Sequence, residues 1–318
     1  MPRSVHIRWW LRLLAVVVLG IFAYQFVGLS RQLDRDAFVA AVARPGNGRV
    51  LLLVLALMPL NWLLEARKWQ LLLDAFVRWP YRRVLRATLA GVSVSAATPN
   101  RVGEIGGRLL LARRAEWEAV TASTLLGSLC QWVAFLLLAW PALVLTVGAL
   151  PGVLDGIPLW LLLPVGPLLL LGVGLGGKPF ARWLLQWVKK RFGRDVDALR
   201  TALQNVTITL IFRSSLYACL RFGVYCMQLY LLLWFFGLEL PLGKGLAGIA
   251  AIYLVQAGIP LPPGLNLVTR TELGLLLWSA NPEDAVAVLA AYTALFGVNV
   301  LLPSIPGYWF IVRTNKLA

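Results

Sequence analysis

Apolar stretches as long as a membrane is thick are the feature that most limits how this chain can fold. A bilayer core needs about 20 apolar residues per helix, and six stretches fit that length: 9–29, 50–66, 119–147, 157–176, 209–237 and 285–303. Only 14% of the residues are charged, against roughly 25% in soluble domains. The sequence therefore predicts an all-α polytopic integral membrane protein with about six full transmembrane helices, the first of them an uncleaved span.

Basic residues predict which ends of the spans face the cytoplasm. The chain has 30 Lys and Arg against 14 Asp and Glu, a surplus that in a soluble protein would suggest nucleic acid. Here the basic residues cluster in short loops between spans, which is the positive-inside pattern, so no nucleic-acid partner is expected. Both termini are predicted to be cytoplasmic. The basic loop 178–200 also has aromatic residues at helical spacing, equally consistent with a helix on the inner leaflet and with a solvated loop.

Two further apolar segments, 84–112 and 245–279, are each interrupted near the middle by proline and glycine. The interrupting residues are Pro99 and Gly103 in the first segment, and Pro262, Pro263 and Gly264 in the second. Arginines flank the first segment on both sides, whereas the second lies between loops without that basic clustering. A segment that starts and ends on one side is either a re-entrant hairpin or two full crossings, and we expect hairpins.

The order of these segments predicts an inverted repeat. Each half, 1–148 and 149–318, contains a span, a span, a split hairpin and a span, and the charges give the two halves opposite orientations. Inverted repeats with broken helices are typical of transporters. Because lipid cannot satisfy exposed backbone N–H and C=O groups, we expect the two breaks to meet inside the protein.

Polar residues at the first break fall on one face of a predicted helix. Thr98 is predicted to cap that helix, with Pro99 at its first position. Arg101, Glu104 and Arg108 then share one face. The second break has a comparable pattern, because the sequence TRTE predicts a capping box from Thr269 to Glu272.

Both second arms would begin near the middle of the membrane, with free N–H groups and a partial positive charge at their N-termini. Together with the arginines, this predicts an anion site for which a phosphate is the natural ligand. The candidate substrate-binding residues are Asn100, Arg101, Glu104, Arg108, Arg221, Asn266, Arg270 and Glu272. The glutamates would balance the arginines, and one of them could carry a coupling proton. The alternative is that these charges form buried ion pairs that only fix the packing of the hairpins.

Charged residues elsewhere in the spans have simpler interpretations. Arg221 lies well inside the fifth span, where a role in the substrate pathway and snorkelling toward the cytoplasm both stay open. Glu65, Arg67 and Lys68, at the end of the second span, are interpreted as an interfacial anchor, with Trp62 and Trp69 in an aromatic belt.

The chain offers little for metal or cofactor chemistry. Its three cysteines lie in apolar segments without metal-binding spacing, and its only histidine, His6, lies in the basic N-terminal leader. No metal or other cofactor is therefore expected.

The stretch PNRVGEIGGRLLLARR, preceded by EARKWQLLL and followed later by PPGLNLVTRTELGLLL, resembles the lysylphosphatidylglycerol synthase transmembrane-domain family, also called flippase-like domain proteins. The resemblance covers nearly the whole chain. In the second motif Leu265 and Asn266 stand at positions that are glycine-like in the family, and Thr271 separates Arg270 from Glu272. The resemblance implies movement of a phospholipid or lipid-linked anion between leaflets of a bacterial or archaeal inner membrane.

The expected function is therefore a flippase or scramblase for an anionic phospholipid or lipid-linked phosphate, in which transport is passive or ion-coupled. The alternatives are a membrane enzyme acting on a lipid phosphate, with Glu104 or Glu272 as base, and a non-transporting partner of a lipid-modifying synthase. A transporter is preferred, because no nucleophile, metal or histidine motif is found. In bifunctional family members a soluble aminoacyl-transferase domain follows the membrane part. The present sequence shows no such domain up to Ala318, so lysine transfer is not expected of this polypeptide. A homo-oligomer and a separate synthase partner both stay open.

Overall fold

Every regular element in the computed structural model is a helix, and no strand occurs among the described residues. The structure describes residues 39–40, 43–44, 46–96, 98, 102–150, 157–172, 206–259, 263–278 and 281–314. The prediction of an all-α polytopic membrane protein is confirmed. Four stretches are long and apolar enough to cross a membrane: Asn47–Leu73, Arg114–Gly148, Ile208–Phe235 and Glu283–Arg313. They match four of the predicted spans, and 157–176 corresponds to a shorter apolar helix. The span 9–29 and the loop 178–200 lie outside the described residues.

The first half, up to residue 148, contains five helices among the described residues. They are α1 (Asn47–Leu73), α2 (Tyr81–Ser95), α3 (Val102–Leu109), α4 (Trp117–Ala134) and α5 (Trp140–Gly148). A 3-10 turn, Arg114–Glu116, precedes α4, and a π-helical segment, Phe135–Ala139, joins α4 to α5.

The second half, from residue 149, contains six described helices in a similar order. They are α6 (Leu159–Gly172), α7 (Ile208–Phe235), α8 (Leu242–Ala257), α9 (Pro263–Trp278), α10 (Pro282–Phe296) and α11 (Leu302–Thr314). A second π-helical segment, Gly297–Leu301, joins α10 to α11. The largest apolar core lies mainly between α7, α8 and α10.

Both π segments are followed closely by a proline. Pro141 and Pro303 have no N–H to donate to the carbonyl four residues earlier, and that carbonyl lies within the π segment in each case. The wider π turn accommodates this missing bond without ending the helix. The two spans Arg114–Gly148 and Glu283–Arg313 therefore change from α-helical to π-helical hydrogen bonding at matching places.

The first split segment folds back on itself. Helices α2 and α3 are antiparallel and so close that a Cβ added at Gly107 would lie 2.3 Å from the Ala90 carbonyl oxygen. At the open end of this pair, an N–H of Arg83 donates to the Leu111 carbonyl at 3.0 Å. The two ends of the segment therefore lie together, as a hairpin requires.

The second split segment has the same form. Helices α8 and α9 are antiparallel, because Gly248 near the start of α8 packs against Trp278 at the end of α9. At the break, the Gln256 amide donates to Asn266 Oδ1. Both apolar segments are thus divided between two helices next to the predicted break residues, of which Gly103, Pro263 and Gly264 lie in the first turns of α3 and α9.

The two halves pack with their equivalent helices reversed. Helices α1 and α7 are antiparallel neighbours, since Asn47 Nδ2 donates to the Phe235 carbonyl at 3.0 Å and Gln228 Nε2 donates to the Val54 carbonyl at 2.9 Å. The first arm of each hairpin packs against the last helix of the other half, α2 against α11 and α8 against α5. These contacts are those that an inverted repeat would make, and the repeat itself stays a prediction.

One of the two predicted helix caps is wrong, and the other stays a prediction. Helix α3 is described from Val102 on, Pro99 to Arg101 lie outside the described residues, and Thr98 Oγ1 donates to the Val94 carbonyl of α2 at 3.0 Å. Helix α9 begins at Pro263, so Thr269 lies inside it and does not cap it. The fixed φ of Pro263 suits the first position of a helix, which explains the earlier start. Pro262 also lies outside the described residues.

Candidate functional site

A cavity of about 400 Å³ lies between the two breaks. Its wall includes residues of both split segments, of α1, α4, α7 and α10, and of both π segments. Four of the predicted site residues line it: Glu104, Arg221, Asn266 and Arg270. The structure therefore brings together residues that the sequence places in different halves.

Arg270 is held against the cavity by a glutamine and a tyrosine. Its Nε donates to Gln256 Oε1 at 2.7 Å, and a second N–H of the guanidinium donates to the same oxygen. The ring centroid of Tyr253 lies 4.7 Å from the guanidinium carbon. No carboxylate pairs with Arg270 in the part of the chain that the structure describes, so neutral groups fix its position and leave its charge unbalanced.

Glu65 is the centre of a buried cluster of charges. One of its oxygens lies 2.7 Å from Lys68 Nζ and 3.4 Å from Arg221 Nη1, and the other lies 3.2 Å from Arg108 Nη2. The Glu65 and Lys68 residues are only 4% and 1% exposed. The interpretation of this pair as an interfacial anchor is therefore wrong.

Arg108 is the most enclosed member of this cluster. Its guanidinium lies 2.6 Å from Glu104 Oε1, donates to Thr124 Oγ1 at 3.1 Å and lies 4.2 Å from the Trp69 ring centroid. Arg108 is 1% exposed and lies behind the cavity wall rather than in it. Trp69 is fully buried, so its assignment to an aromatic belt is also wrong.

Arg221 lies in the cavity wall and does not snorkel to the surface. Its Nη1 donates to Gln131 Oε1 at 3.3 Å, and its guanidinium carbon lies 5.3 Å from the Trp62 ring centroid. Its Nη1 lies 3.4 Å from a Glu65 oxygen to which Lys68 Nζ is closer, at 2.7 Å, and Arg221 Nε has no hydrogen-bond partner among the described residues. This arginine is positioned by the protein yet keeps bonding capacity for a ligand.

Several buried polar groups of the cavity wall have no hydrogen-bond partner among the described residues. These groups are Trp62 Nε1, Thr88 Oγ1, Ser95 Oγ, Arg221 Nε and the hydroxyls of Tyr253 and Tyr292. All six can donate a hydrogen bond, and two of them can only donate. Since a buried polar group without a partner is costly, this wall favours a ligand rich in acceptor oxygens.

A chain of side-chain amides leads from the cavity into the interface between α1 and α7. Asn299, which lines the cavity from the second π segment, accepts a hydrogen bond from Asn61 and donates one to Gln228, both at 3.0 Å. Gln228 in turn donates to a backbone carbonyl of α1. The amides fix the wall next to the π segment.

The described charges in and behind the cavity wall have a positive surplus. Four cationic side chains, Lys68, Arg108, Arg221 and Arg270, stand against two carboxylates, Glu65 and Glu104, which leaves two positive charges. No group of three His, Cys, Asp or Glu side chains among the described residues could hold a metal ion. The site is therefore suited to an anion.

The remaining predicted site residues lie elsewhere. Glu272 is exposed and is not part of the cavity wall. Asn100 and Arg101 lie outside the described residues. The sequence analysis missed Gln256 and the central position of Glu65. A usable signal existed for the latter, because Asn61, Glu65 and Lys68 recur at i, i+4 and i+7 and so form a polar stripe inside a span.

The family model of the lysylphosphatidylglycerol synthase TM region matches residues 9–307. The chain belongs to this family. The match extends over both split segments and every cavity residue named above, so the matched region contains all the described residues of the cavity wall. No curated protein matches the chain. Family membership confirms the resemblance found in the sequence and makes the chain a multi-pass membrane protein of a lipid-related family.

Proposed function

We propose that this protein moves the head group of an anionic phospholipid or lipid-linked phosphate between leaflets through the cavity, while the acyl chains stay in the bilayer. The observation that carries the proposal is the surplus of two positive charges among the described residues in and behind the cavity wall, where Arg270 has no carboxylate partner within the described part of the chain. Unbalanced charge inside a membrane protein is expensive and marks substrate pathways. A phosphate would balance it.

The two cavity arginines would bind the phosphate oxygens directly. A guanidinium forms strong, charge-assisted hydrogen bonds to phosphate and can use two N–H groups at once. Arg221 is oriented by Glu65 and Gln131, and Arg270 is oriented by Gln256 and Tyr253. Because these arginines are already in place, little conformational entropy is lost when the head group binds.

The unpartnered donors of the wall would replace water around the head group. A phosphate that leaves water loses its hydration, and this cost has to be offset by hydrogen bonds inside the protein. The hydroxyls of Tyr253 and Tyr292 and the indole N–H of Trp62 supply such bonds without adding charge. Neutral donors also let the phosphate leave again, which transport requires.

The reversed packing of the two halves supports transport by alternating access. In inverted-repeat transporters one half moves against the other around a fixed central site. The antiparallel contact of α1 with α7 and the exchanged packing of the hairpin arms fit that scheme. We further propose that hairpin α2–α3 enters from the cytoplasm, that both termini are cytoplasmic, and that the membrane is a bacterial or archaeal inner membrane. Movement of the lipid would be passive or ion-coupled.

Transport is tested by head-group accessibility in reconstituted liposomes. We expect the wild-type protein to exchange fluorescent phosphatidylglycerol between leaflets and Arg270→Gln to slow exchange by about tenfold or more, since one charged hydrogen-bonding group is worth about 1.5–3 kcal/mol. Arg114→Gln removes an exposed arginine outside the cavity and serves as the matched control.

Wild-type vesicles that exchange no anionic lipid faster than protein-free vesicles would refute the proposal. A lipid-phosphate product detected by mass spectrometry in the same vesicles would instead favour an enzyme.

A further inference from the structure

The arginines at the start of α2 fall on two faces with different surroundings. On one face, Arg83 forms an ion pair with Glu116, in which Arg83 Nη2 lies 2.6 Å from Glu116 Oε2. The guanidinium carbon of Arg83 also lies 3.7 Å from the Trp79 ring centroid. On the other face, Arg82 and Arg86 are exposed, and neither pairs with a carboxylate within the described ranges. The second face is the one that packs against α11.

Helix α11 adds a third arginine at the same end of this packed pair. Helices α2 and α11 are antiparallel, because Ser93 Oγ donates to the Ser304 carbonyl at 2.7 Å and Arg86 lies over Phe310, 5.5 Å from its ring centroid. Arg313 follows one turn after Phe310, is exposed and lies 4.5 Å from the Trp309 ring centroid. We call Arg82, Arg86 and Arg313 the basic seam.

The basic seam is rigid because the two helices below it are in close contact. A Cβ added at Gly307 would lie 2.1 Å from the Leu89 carbonyl oxygen and 2.2 Å from Ser93 Oγ. The backbones of α2 and α11 are therefore held together, and the seam arginines project from a fixed base. A ligand would meet arginines whose backbone positions are already fixed, which lowers the cost of binding.

An apolar ridge leads away from the basic seam along α11. Ile305, Trp309 and Val312 lie on one face of the helix at i, i+4 and i+7, and they are 61%, 53% and 39% exposed. Tryptophan with arginine at a helix end is typical of the level of the lipid head groups. A ligand for this surface needs an anionic end for the arginines and an apolar tail for the ridge.

We propose that the basic seam binds the phosphate of an anionic glycerophospholipid, with an acyl chain along the ridge Ile305, Trp309 and Val312. This site is separate from the cavity and does not depend on transport. A lipid bound there would contact the first arm of one hairpin and the last helix of the other half at once. It would therefore join the two halves at one face of the membrane, which the basic residues predict to be cytoplasmic.

The experiment measures retained lipid by native mass spectrometry after purification in detergent with equal amounts of phosphatidylglycerol and phosphatidylcholine. It is made in an Arg270→Gln background, which weakens phosphate binding in the cavity and leaves the seam arginines unchanged. We expect preferential retention of phosphatidylglycerol, reduced about tenfold by the double change Arg86→Gln and Arg313→Gln, since each arginine supplies charge-assisted bonds. The lysine pair, Arg86→Lys with Arg313→Lys, should retain an intermediate amount, because lysine keeps the charge but not the forked geometry.

The control pair is Arg78→Gln with Arg114→Gln, which removes the same charge from exposed positions outside the seam and should leave retention unchanged. All four arginines are exposed, so folding is checked simply by elution volume and helical circular dichroism. Equal loss in the control pair, no loss in the seam pair, or equal retention of the two lipids would overturn the site. Inorganic phosphate that stabilises the protein as much as phosphatidylglycerol does would overturn its assignment to a lipid.

Discussion

At the scale of single residues, Glu65 is the carboxylate that compensates the buried positive charges near the cavity. It is the carboxylate closest to Lys68, and it also contacts Arg108 and Arg221. Position-by-position hydropathy cannot identify such a role, because a charge near the end of a span has the same appearance whether it faces head groups or a protein interior. The spacing from Asn61 was informative, whereas the partners across the bundle depend on tertiary packing.

Glu65→Gln should destabilise the protein by about 3–5 kcal/mol, since removal of one partner from a buried ion pair leaves uncompensated charge. The matched control is Glu118→Gln, which removes an exposed carboxylate from the first turn of α4 and should change stability by less than about 0.5 kcal/mol. Thermal unfolding in detergent measures both. Equal stability of the two variants would show that Glu65 does not hold the cluster together.

The Gln256→Glu variant should change ligand binding without changing the stability of the fold. A carboxylate at this position would form an ion pair with Arg270, whose Nε lies 2.7 Å from Gln256 Oε1, and would reduce the positive surplus of the cavity. We expect lipid exchange in liposomes to fall about tenfold or more with no loss of thermal stability. Unchanged exchange in a folded Gln256→Glu variant would indicate that the charge of Arg270 is not used for substrate.

At the scale of helices, the glycines of α3 decide how closely the first hairpin folds. The existence of both split segments was predictable from proline and glycine, and the helices are interrupted next to the predicted residues. The start of α9 was not predictable, because both Pro263 and Thr269 suit a helix start. The π segments also escaped prediction, although Pro141 and Pro303 mark where the helical hydrogen bonding must change.

Neighbouring glycines in α3 provide a matched pair for this contact. A Cβ at Gly107 would lie 2.3 Å from the Ala90 carbonyl oxygen, whereas nothing lies within 4 Å of a Cβ at Gly106. Gly107→Ala should destabilise the protein by about 1–3 kcal/mol through overpacking. Gly106→Ala should be neutral or stabilising by up to about 1 kcal/mol, because alanine favours a helix. Thermal unfolding that ranks the pair in the opposite order would contradict the packing of α2 on α3.

At the scale of the whole molecule, the arrangement of the two halves follows from a pattern of contacts rather than from sequence similarity between them. Charge counting predicted opposite orientations, and the reversed pairing of α1 with α7 provides independent support. The cavity could be anticipated only in outline. That the two breaks would meet follows from the cost of bare backbone in lipid, whereas the identity of the wall residues depends on how eight helices pack together.

Cysteines at the base of each hairpin test the inverted repeat. Ala115→Cys and Gly243→Cys place exposed thiols next to the first and second hairpins respectively. An impermeant maleimide applied to sealed, oriented vesicles should label them from opposite sides. The three native cysteines provide the background, and Cys130 and Cys226 are buried. Labelling of both positions from one side would rule out the inverted arrangement.

The exchanged packing of the hairpin arms has a consequence for how the protein is made. During synthesis α2 enters the membrane long before α11, yet the two helices are in close contact at Gly307 and share the hydrogen bond from Ser93 to Ser304. Until α11 is inserted, the face of α2 that carries Ser93 has no partner from the other half. We therefore expect the first hairpin to depend on an insertase or chaperone during this interval, and its contact with the second half to form only after α11 has left the ribosome.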